Sequence, residues 1–213
     1  MEQRDIRFGK VVLLVNGAVP LALLAWDACH HGLGANPANY AILTTGMMTL
    51  IFLMLTMAAT PVRKVFGWSW PGQYRRMLGL YAFFYGCAHF LLFFSLDRSF
   101  SVSSTLSEMA KRKFLIIGSL GLVLMVPLAV TSTNGMIKRL GGRRWRALHR
   151  LAYVAAIAGV IHYYMQVKAD VRQPLVFAGV LTLLLGYRLW DSWRRSTPPS
   201  GAAVPPKARP SGA

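Results

Sequence analysis

Acidic side chains are scarce in this chain: 7 Asp and Glu stand against 24 Lys and Arg, for a formal charge of +17. Charge of either sign is sparse as well, at 15% of residues, while 54% are hydrophobic. Apolar runs near membrane-spanning length, in so uncharged a chain, exclude a soluble domain of 213 residues and predict a polytopic membrane protein. In a soluble protein the excess of Lys and Arg would suggest nucleic acid. Here it sits mostly in short segments between apolar runs and at the two ends, which points to membrane lipid headgroups as counter-charge and to no nucleic-acid partner. Two cysteines, Cys29 and Cys87, are too few for a disulfide framework, and Cys87 falls inside an apolar run. There is no internal repeat and no separate soluble domain. Gly141-Gly142 beside Arg143-Arg144 lacks the strand-turn-helix context of a nucleotide fingerprint.

What is present predicts an all-α bundle of six transmembrane helices over residues 1–195. A basic start with Arg4, Arg7 and Lys10 precedes the first apolar run, Val11 to about Cys29. No small-x-small cleavage pattern stands ahead of Asp27, so this run is a first span rather than a signal peptide. Asn16 and Pro20 interrupt it, which a membrane helix tolerates where neighbouring helices satisfy the freed groups. The connection from His30 to Asn39 contains no Lys or Arg and is expected outside the cytoplasm. A second span runs from about Tyr40 to Thr60 and stops at Pro61. The loop after it holds Arg63, Lys64, Arg75 and Arg76, with Trp68 and Trp70 suited to the interface, and is expected inside.

The third span, Met77 to Leu96, leads into a charged connection with Asp97, Arg98, Glu108 and Lys111-Arg112-Lys113, then a fourth span from about Phe114 to Thr131. Alternation makes that connection external, which its basic cluster opposes. The following loop outweighs it with Lys138, Arg139, Arg143, Arg144 and Arg146, and belongs inside. The fifth span lies in the stretch Arg146 to Met165. The sixth runs from Pro174 to about Trp190, with Arg188 able to snorkel from its end. Both termini are then cytoplasmic, and residues 196–213, rich in proline and without bulky aromatics, read as a disordered cytoplasmic tail.

Three histidines fall inside these spans, where an imidazole is costly unless it faces protein, a cavity or a metal. His89 lies roughly 4 Å beyond the middle of the third span toward the outside, and His162 about 9 Å beyond the middle of the fifth. Boundary errors of two to four residues cover the difference, so they can share one plane. His149, thirteen residues before His162, sits about 20 Å away along an ideal helix, toward the inside. Gly79, Ala82, Gly86 and His89 follow one another at helical spacing, as do Ala155, Gly159 and His162; Ala152 and Ala156 stand likewise to His149. Rows of small residues beside a ligand make room for a flat porphyrin between helices.

The same stripes also serve ordinary close helix packing, and a single intramembrane His also acts as hydrogen-bonding glue or as a proton-relay member. Two histidines at matching depth, each beside its own stripe, favour haem, since imidazole suits iron and its other N–H needs an acceptor. A relay is weakened by the absence of acidic residues from the central parts of the third to sixth spans. His30 and His31 read as loop residues. Met47, Met48, Met54 and Met57 read as packing rather than ligands.

The six-span layout, His89 on the third span, His149 and His162 on the fifth, and the segments HHGLGANP, RRMLGLY, LAVTSTNGM, WRALHRLAY and IHYYMQVK resemble the MsrQ family, also called YedZ. These are haem-binding membrane subunits of the bacterial periplasmic methionine sulfoxide reductase system, within the ferric-reductase-like transmembrane superfamily. The resemblance covers nearly everything from the first span to Trp190. It implies an inner-membrane electron conduit with haem b and FMN, taking electrons from quinol or from a cytoplasmic flavin reductase. The acceptor would be MsrP, a periplasmic molybdopterin enzyme that repairs oxidised methionines. The chain would then be an electron-transfer subunit rather than the catalytic one. His89 and His162 would be the axial iron ligands, with His149 left for another haem or haem state.

The superfamily's NADPH oxidases carry two histidines on each of two helices, whereas the position thirteen before His89 here is Arg76. His149 therefore lacks an obvious partner. The FMN site is not placed by these residues. A quinol-linked ferric or metal-ion reductase, and a His-relay proton-coupled transporter, are the alternative classes. Arg98, Lys168 and Arg172 at the outer edge are candidates for propionates or for an acidic partner surface.

Overall fold

The computed structural model describes residues 3–196, so the tail expected at 196–213 lies, apart from Ser196, outside the described residues. Every regular element among the described residues is helical. Helix α1 (Gln3–Cys29) is loosely packed and turns Val11, Leu14, Val15 and Leu23 outward, as a lipid-facing helix would. Its Pro20 has no N–H to give to the ladder. Tyr85 from a neighbouring helix closes the gap beside it: its hydroxyl donates to the Gly17 carbonyl at 2.8 Å and accepts from the Leu21 N–H at 3.2 Å.

Helix α2 (Pro37–Phe66) is started by Asn36, whose side chain accepts from the Asn39 N–H at 3.0 Å, and by Pro37 in the first turn. It ends at Gly67, which takes φ 71° as a left-handed cap. The expected stop at Pro61 is wrong, because the helix continues for another turn and a half. Pro61 leaves the carbonyl four residues earlier, that of Met57, without its N–H donor. Arg188 supplies the missing donor through Nη2 at 2.8 Å.

Helix α3 (Pro71–Leu92) runs into a π-helical turn at Phe93–Asp97. The charged connection after it contains a short amphipathic helix, α4 (Val102–Lys111), capped by Ser101, which accepts from the Ser104 N–H at 3.2 Å. Helix α5 (Lys113–Val130) follows directly. The basic segment expected as a loop is instead helix α6 (Asn134–Leu148), capped by Thr133 and interrupted at Gly141, where φ is 72° and ψ 149°.

The stretch Arg146 to Met165, expected as one span, is broken. Helix α6 ends at Leu148 and α7 (Leu151–Gln166) begins two residues beyond His149. The break is a tightened turn in which Arg150 N–H reaches Ala147 O at 3.1 Å and Tyr153 N–H reaches Arg150 O at 2.9 Å, three residues back rather than four. His149 and His162 are therefore not on one continuous helix. Helix α8 (Arg172–Ser196) closes the chain, and Lys64 at the end of α2 pairs with Asp191 near its end.

Five of these helices, α1, α2, α3 with its π turn, α5 and α8, are long and apolar enough to cross a membrane. Helix α7 is apolar but has 16 residues, about 24 Å of rise against a bilayer core of about 30 Å. The tightest packing joins α2 to α3 and α5 to α7, and these two pairs meet around Leu50, Leu53, Met125 and Ala155. The functional side chains lie where the pairs face each other.

Candidate functional site

His89 on α3 and His162 on α7 come from opposite helix pairs, and their ring centres are 6.1 Å apart with planes inclined at 85°. Each ring is oriented in the same way. His89 Nδ1 lies 2.8 Å from the carbonyl of Ile42 on α2, and His162 Nδ1 lies 2.7 Å from the carbonyl of Phe114 on α5. A carbonyl only accepts, so Nδ1 carries the proton on both rings and Nε2 keeps its lone pair.

A glycine makes each contact possible. Gly46 stands four residues after Ile42 and Gly118 four after Phe114, one helical turn along the same face. A Cβ on Gly46 would lie 2.9 Å from His89 Nδ1, and one on Gly118 only 2.5 Å from His162 Nδ1. Without a side chain there, the imidazole can lie over the turn and reach the carbonyl behind it. The α2–α3 and α5–α7 pairs thus repeat one device: carbonyl, glycine a turn later, histidine from the packed neighbour.

Both rings line a cavity of about 270 Å³ between α2, α3, α5 and α7. Its walls are apolar and small, with Leu50, Gly86, Gly121, Met125, Ala155 and Gly159 among the lining residues. Part of each expected small-residue stripe is used this way. Gly86, Ala155 and Gly159 border the cavity, whereas Gly79 packs on Thr56 of α2 and Ala82 is fully buried in the core. At the end bearing α4, Asp97, Arg98, Glu108 and Arg112 line the mouth. Arg98 is bound to Asp97 at 2.5 Å and to Glu108 at 3.3 Å, and Arg112 also pairs with Glu108.

Of the outer-edge residues singled out from sequence, only Arg98 reaches the cavity; Arg172 is paired with Asp170 at 3.9 Å, outside it. Glu108 and Arg112 are part of the mouth, and Gly46 and Gly118 are part of the histidine mounts, although sequence reasoning singled out none of them for these roles. The usable signal was a glycine on each span neighbouring a histidine span. Met47 borders the cavity, while Met54 and Met57 are buried in the core. His30 stacks on Trp26 with ring centres 4.0 Å apart, and both it and His31 are exposed loop residues away from the cavity.

His149 does not border the cavity. Sitting in the turn between α6 and α7, its ring stacks on Trp145 at 3.9 Å between centres, and Nδ1 lies 3.1 Å from the Trp145 carbonyl. Its Nε2 is buried and makes no well-formed hydrogen bond among the described residues, although the Leu128 backbone lies close enough to act on the ring.

Chemically, His89 and His162 could hold a metal between them through their Nε2 atoms. Two imidazoles bonded to one metal through Nε2 at about 2 Å place their ring centres roughly 6 Å apart, as these are. A relay would pass a proton through both nitrogens of each ring, and here each Nδ1 faces a backbone carbonyl that does not take one. Among the described residues no group of three His, Cys, Asp or Glu could hold a metal alone. A metal held by these two histidines would need its other ligands from a cofactor.

These features define a helical membrane protein with a cavity bordered by two imidazoles. The family described as ferric reductase like transmembrane component matches residues 41–160, a segment that contains Ile42, Gly46, His89, Phe114 and Gly118 and ends two residues before His162. The chain is 46% identical to the protein-methionine-sulfoxide reductase heme-binding subunit MsrQ of Rhodospirillum rubrum, over 92% of this chain and 93% of that one. It is 44% identical to the protein of the same name from Herminiimonas arsenicoxydans, over 87% and 86%, and 41% identical to that from Ralstonia nicotianae, over 95% of each. The chain belongs to the ferric-reductase-like transmembrane family, and within it to the MsrQ family. It is a multi-pass protein of the bacterial inner membrane.

Proposed function

We propose that the cavity between His89 and His162 holds a b-type haem, with Nε2 of each as an axial ligand, and that the chain is the membrane subunit of a methionine sulfoxide reductase system. The observation that carries this reading is the pair of carbonyl-anchored imidazoles 6.1 Å apart in an apolar cavity between four helices. Haem iron held by two imidazoles supplies one-electron oxidation and reduction with no open coordination position. The protein contributes everything else. Ile42 and Phe114 fix the tautomers and aim the rings, the glycines and Ala155 leave width for a flat ring, and the apolar wall excludes water. Arg98 and Arg112 stand where propionates would reach the mouth.

In this reading α7 is the sixth crossing, both termini are cytoplasmic, and the mouth with α4 faces the periplasm. Electrons enter from quinol or a cytoplasmic flavin reductase and leave to the periplasmic molybdopterin enzyme MsrP, and the chain is not itself the catalytic subunit. FMN belongs to the reading through the family resemblance and is assigned no residues. His149, away from the cavity and with a buried Nε2 that makes no well-formed hydrogen bond among the described residues, is the residue available to a second haem.

Purified protein should show a dithionite-reducible b-type spectrum that His89→Ala or His162→Ala largely abolishes. Both variants folding with full haem content would remove the ligand assignment. An encoded neighbour of the molybdopterin class supports methionine repair over ferric reduction, and its absence counts against it.

A further inference from the structure

The short helix α4 at the cavity mouth presents three faces, and contacts within the chain account for one of them. Its inward face meets α5 and the mouth: Thr105 is buried, Glu108 holds Arg98 and Arg112, and Met109 lines the cavity. Val102 and Leu106, one turn apart, form a second face and are 62% and 61% exposed although apolar. Ser103 and Ser107, also one turn apart and about 100° further round, form a third face that is polar and exposed, and Lys111 continues it. The turn ahead of the helix adds another exposed apolar group. Phe100 is 63% exposed, with its ring edge-on to Phe94 at 5.6 Å between centres. Ser99 and Phe100 take φ 49° and 58°, a left-handed conformation that is unfavourable for a side chain as large as phenylalanine.

A helix with one face on protein, one apolar and one polar suits the surface of a bilayer, where oil and water meet along its length. Connectivity puts α4 at that level. Helix α3 with its π turn and helix α5 are both long and apolar enough to cross a membrane, and α4 joins the end of one at Asp97 to the start of the other at Lys113. Standing out in water, α4 would leave Phe100, Val102 and Leu106 solvated, and a strained turn would present a phenyl ring to solvent. Sunk in hydrocarbon, it would carry Ser103, Ser107 and Lys111 without partners. Only the boundary suits both faces. Lys111 and Lys113 are exposed and have no ion pair among the described residues. At headgroup depth their ammonium groups reach lipid phosphate from either side of a bilayer, so depth accounts for the basic cluster that alternation of the spans places outside.

We propose that α4 lies along the membrane surface as an interfacial helix, with Phe100, Val102 and Leu106 among lipid acyl chains and Ser103, Ser107 and Lys111 toward the water. Glu108 reaches Arg98 and Arg112 from the same helix, so lipid contact with α4 sets the cavity mouth at the level of the headgroups. The mouth then meets the aqueous boundary, where a soluble partner reaches it without entering the hydrocarbon. This placement holds whatever the cavity contains.

The test uses the full chain in lipid nanodiscs. Photolysis of a phosphatidylcholine that carries a diazirine on its acyl chain should label the unaltered chain at Phe100, Val102 or Leu106. For depth, one nitroxide is attached to Val102→Cys, Ser103→Cys, Leu106→Cys or Ser107→Cys in a Cys29→Ser, Cys87→Ala parent whose circular dichroism matches that of the unaltered chain. Its relaxation is compared between oxygen, which partitions into acyl chains, and a water-soluble nickel chelate. The oxygen-to-nickel ratio should be several-fold higher at Val102 and Leu106 than at Ser103 and Ser107. Absence of photolabel from all three apolar residues overturns the proposal. So does a ratio favouring nickel at all four positions, which would leave the apolar face to a soluble protein. A ratio favouring oxygen equally at all four overturns it too, because α4 would then be immersed rather than at the boundary.

Discussion

The imidazole of His162 occupies the space where Gly118 would carry a side chain, with Nδ1 2.5 Å from the position a Cβ would take. The ring is not a free end that can swing aside, because its Nδ1–H is fixed 2.7 Å from the Phe114 carbonyl one turn before that glycine. Gly46 relates to His89 in the same way, with a wider clearance of 2.9 Å.

An added methyl group must therefore displace the imidazole or the helix. Gly118→Ala is expected to lower haem bound per protein several-fold, and Gly46→Ala to lower it less, since 0.4 Å more room is available there. Displacements on the order of 0.5 Å are enough to spoil a coordination geometry. The haem-to-protein ratio and the Soret band of the two variants check the ranking. Equal, full loading of both would show that the glycines do not hold the rings in place.

A second relationship explains a helix that proline should have ended. The Met57 carbonyl, orphaned by Pro61, is taken by Arg188 from α8. Arg188→Gln is expected to destabilise the protein by about 1–3 kcal/mol through that lost charge-assisted bond. Pro61→Ala restores an N–H for the same carbonyl. It should therefore cost little by itself and reduce the penalty of Arg188→Gln when the two are combined. Thermal unfolding of the four proteins in one detergent gives the coupling. Strict additivity would separate Pro61 from Arg188.

The parts of this architecture written as apolar runs and charge were legible in the sequence, and the parts made by contact between distant segments were not. The common depth of His89 and His162 follows from where their spans begin, and the structure brings their rings within 6.1 Å. Pro61 was misread because its compensation lies in another helix. WRALHRLAY contains no Gly or Pro, so nothing local marks the break at His149. That turn is held by Trp145, whose indole donates to the Thr131 carbonyl at 2.9 Å and whose ring stacks on His149. Gly46 and Gly118 passed as unremarkable spacers because the rings that fill their gaps belong to α3 and α7. Helix α4 was masked by its charge, though Ser101 ahead of it is a recognisable cap.

The mouth residue Glu108 offers a test of charge near the cavity. It is largely buried and holds both Arg98 and Arg112, and these ion pairs offset part of their positive field inside the pocket. Reduction adds one negative charge to whatever the histidines hold, and a nearby carboxylate opposes that addition. Glu108→Gln removes the opposition and frees the two guanidinium groups, so the midpoint potential should rise. Arg98→Gln removes a favourable charge and should lower it. For charges several ångströms away in partly hydrated surroundings, each shift should be on the order of tens of millivolts. Redox titration of the reduced-minus-oxidised spectrum reads both, with haem content as the control for folding. Shifts of the same sign in the two variants, or none in either, would show that this ion network stabilises α4 alone and does not act on the pocket.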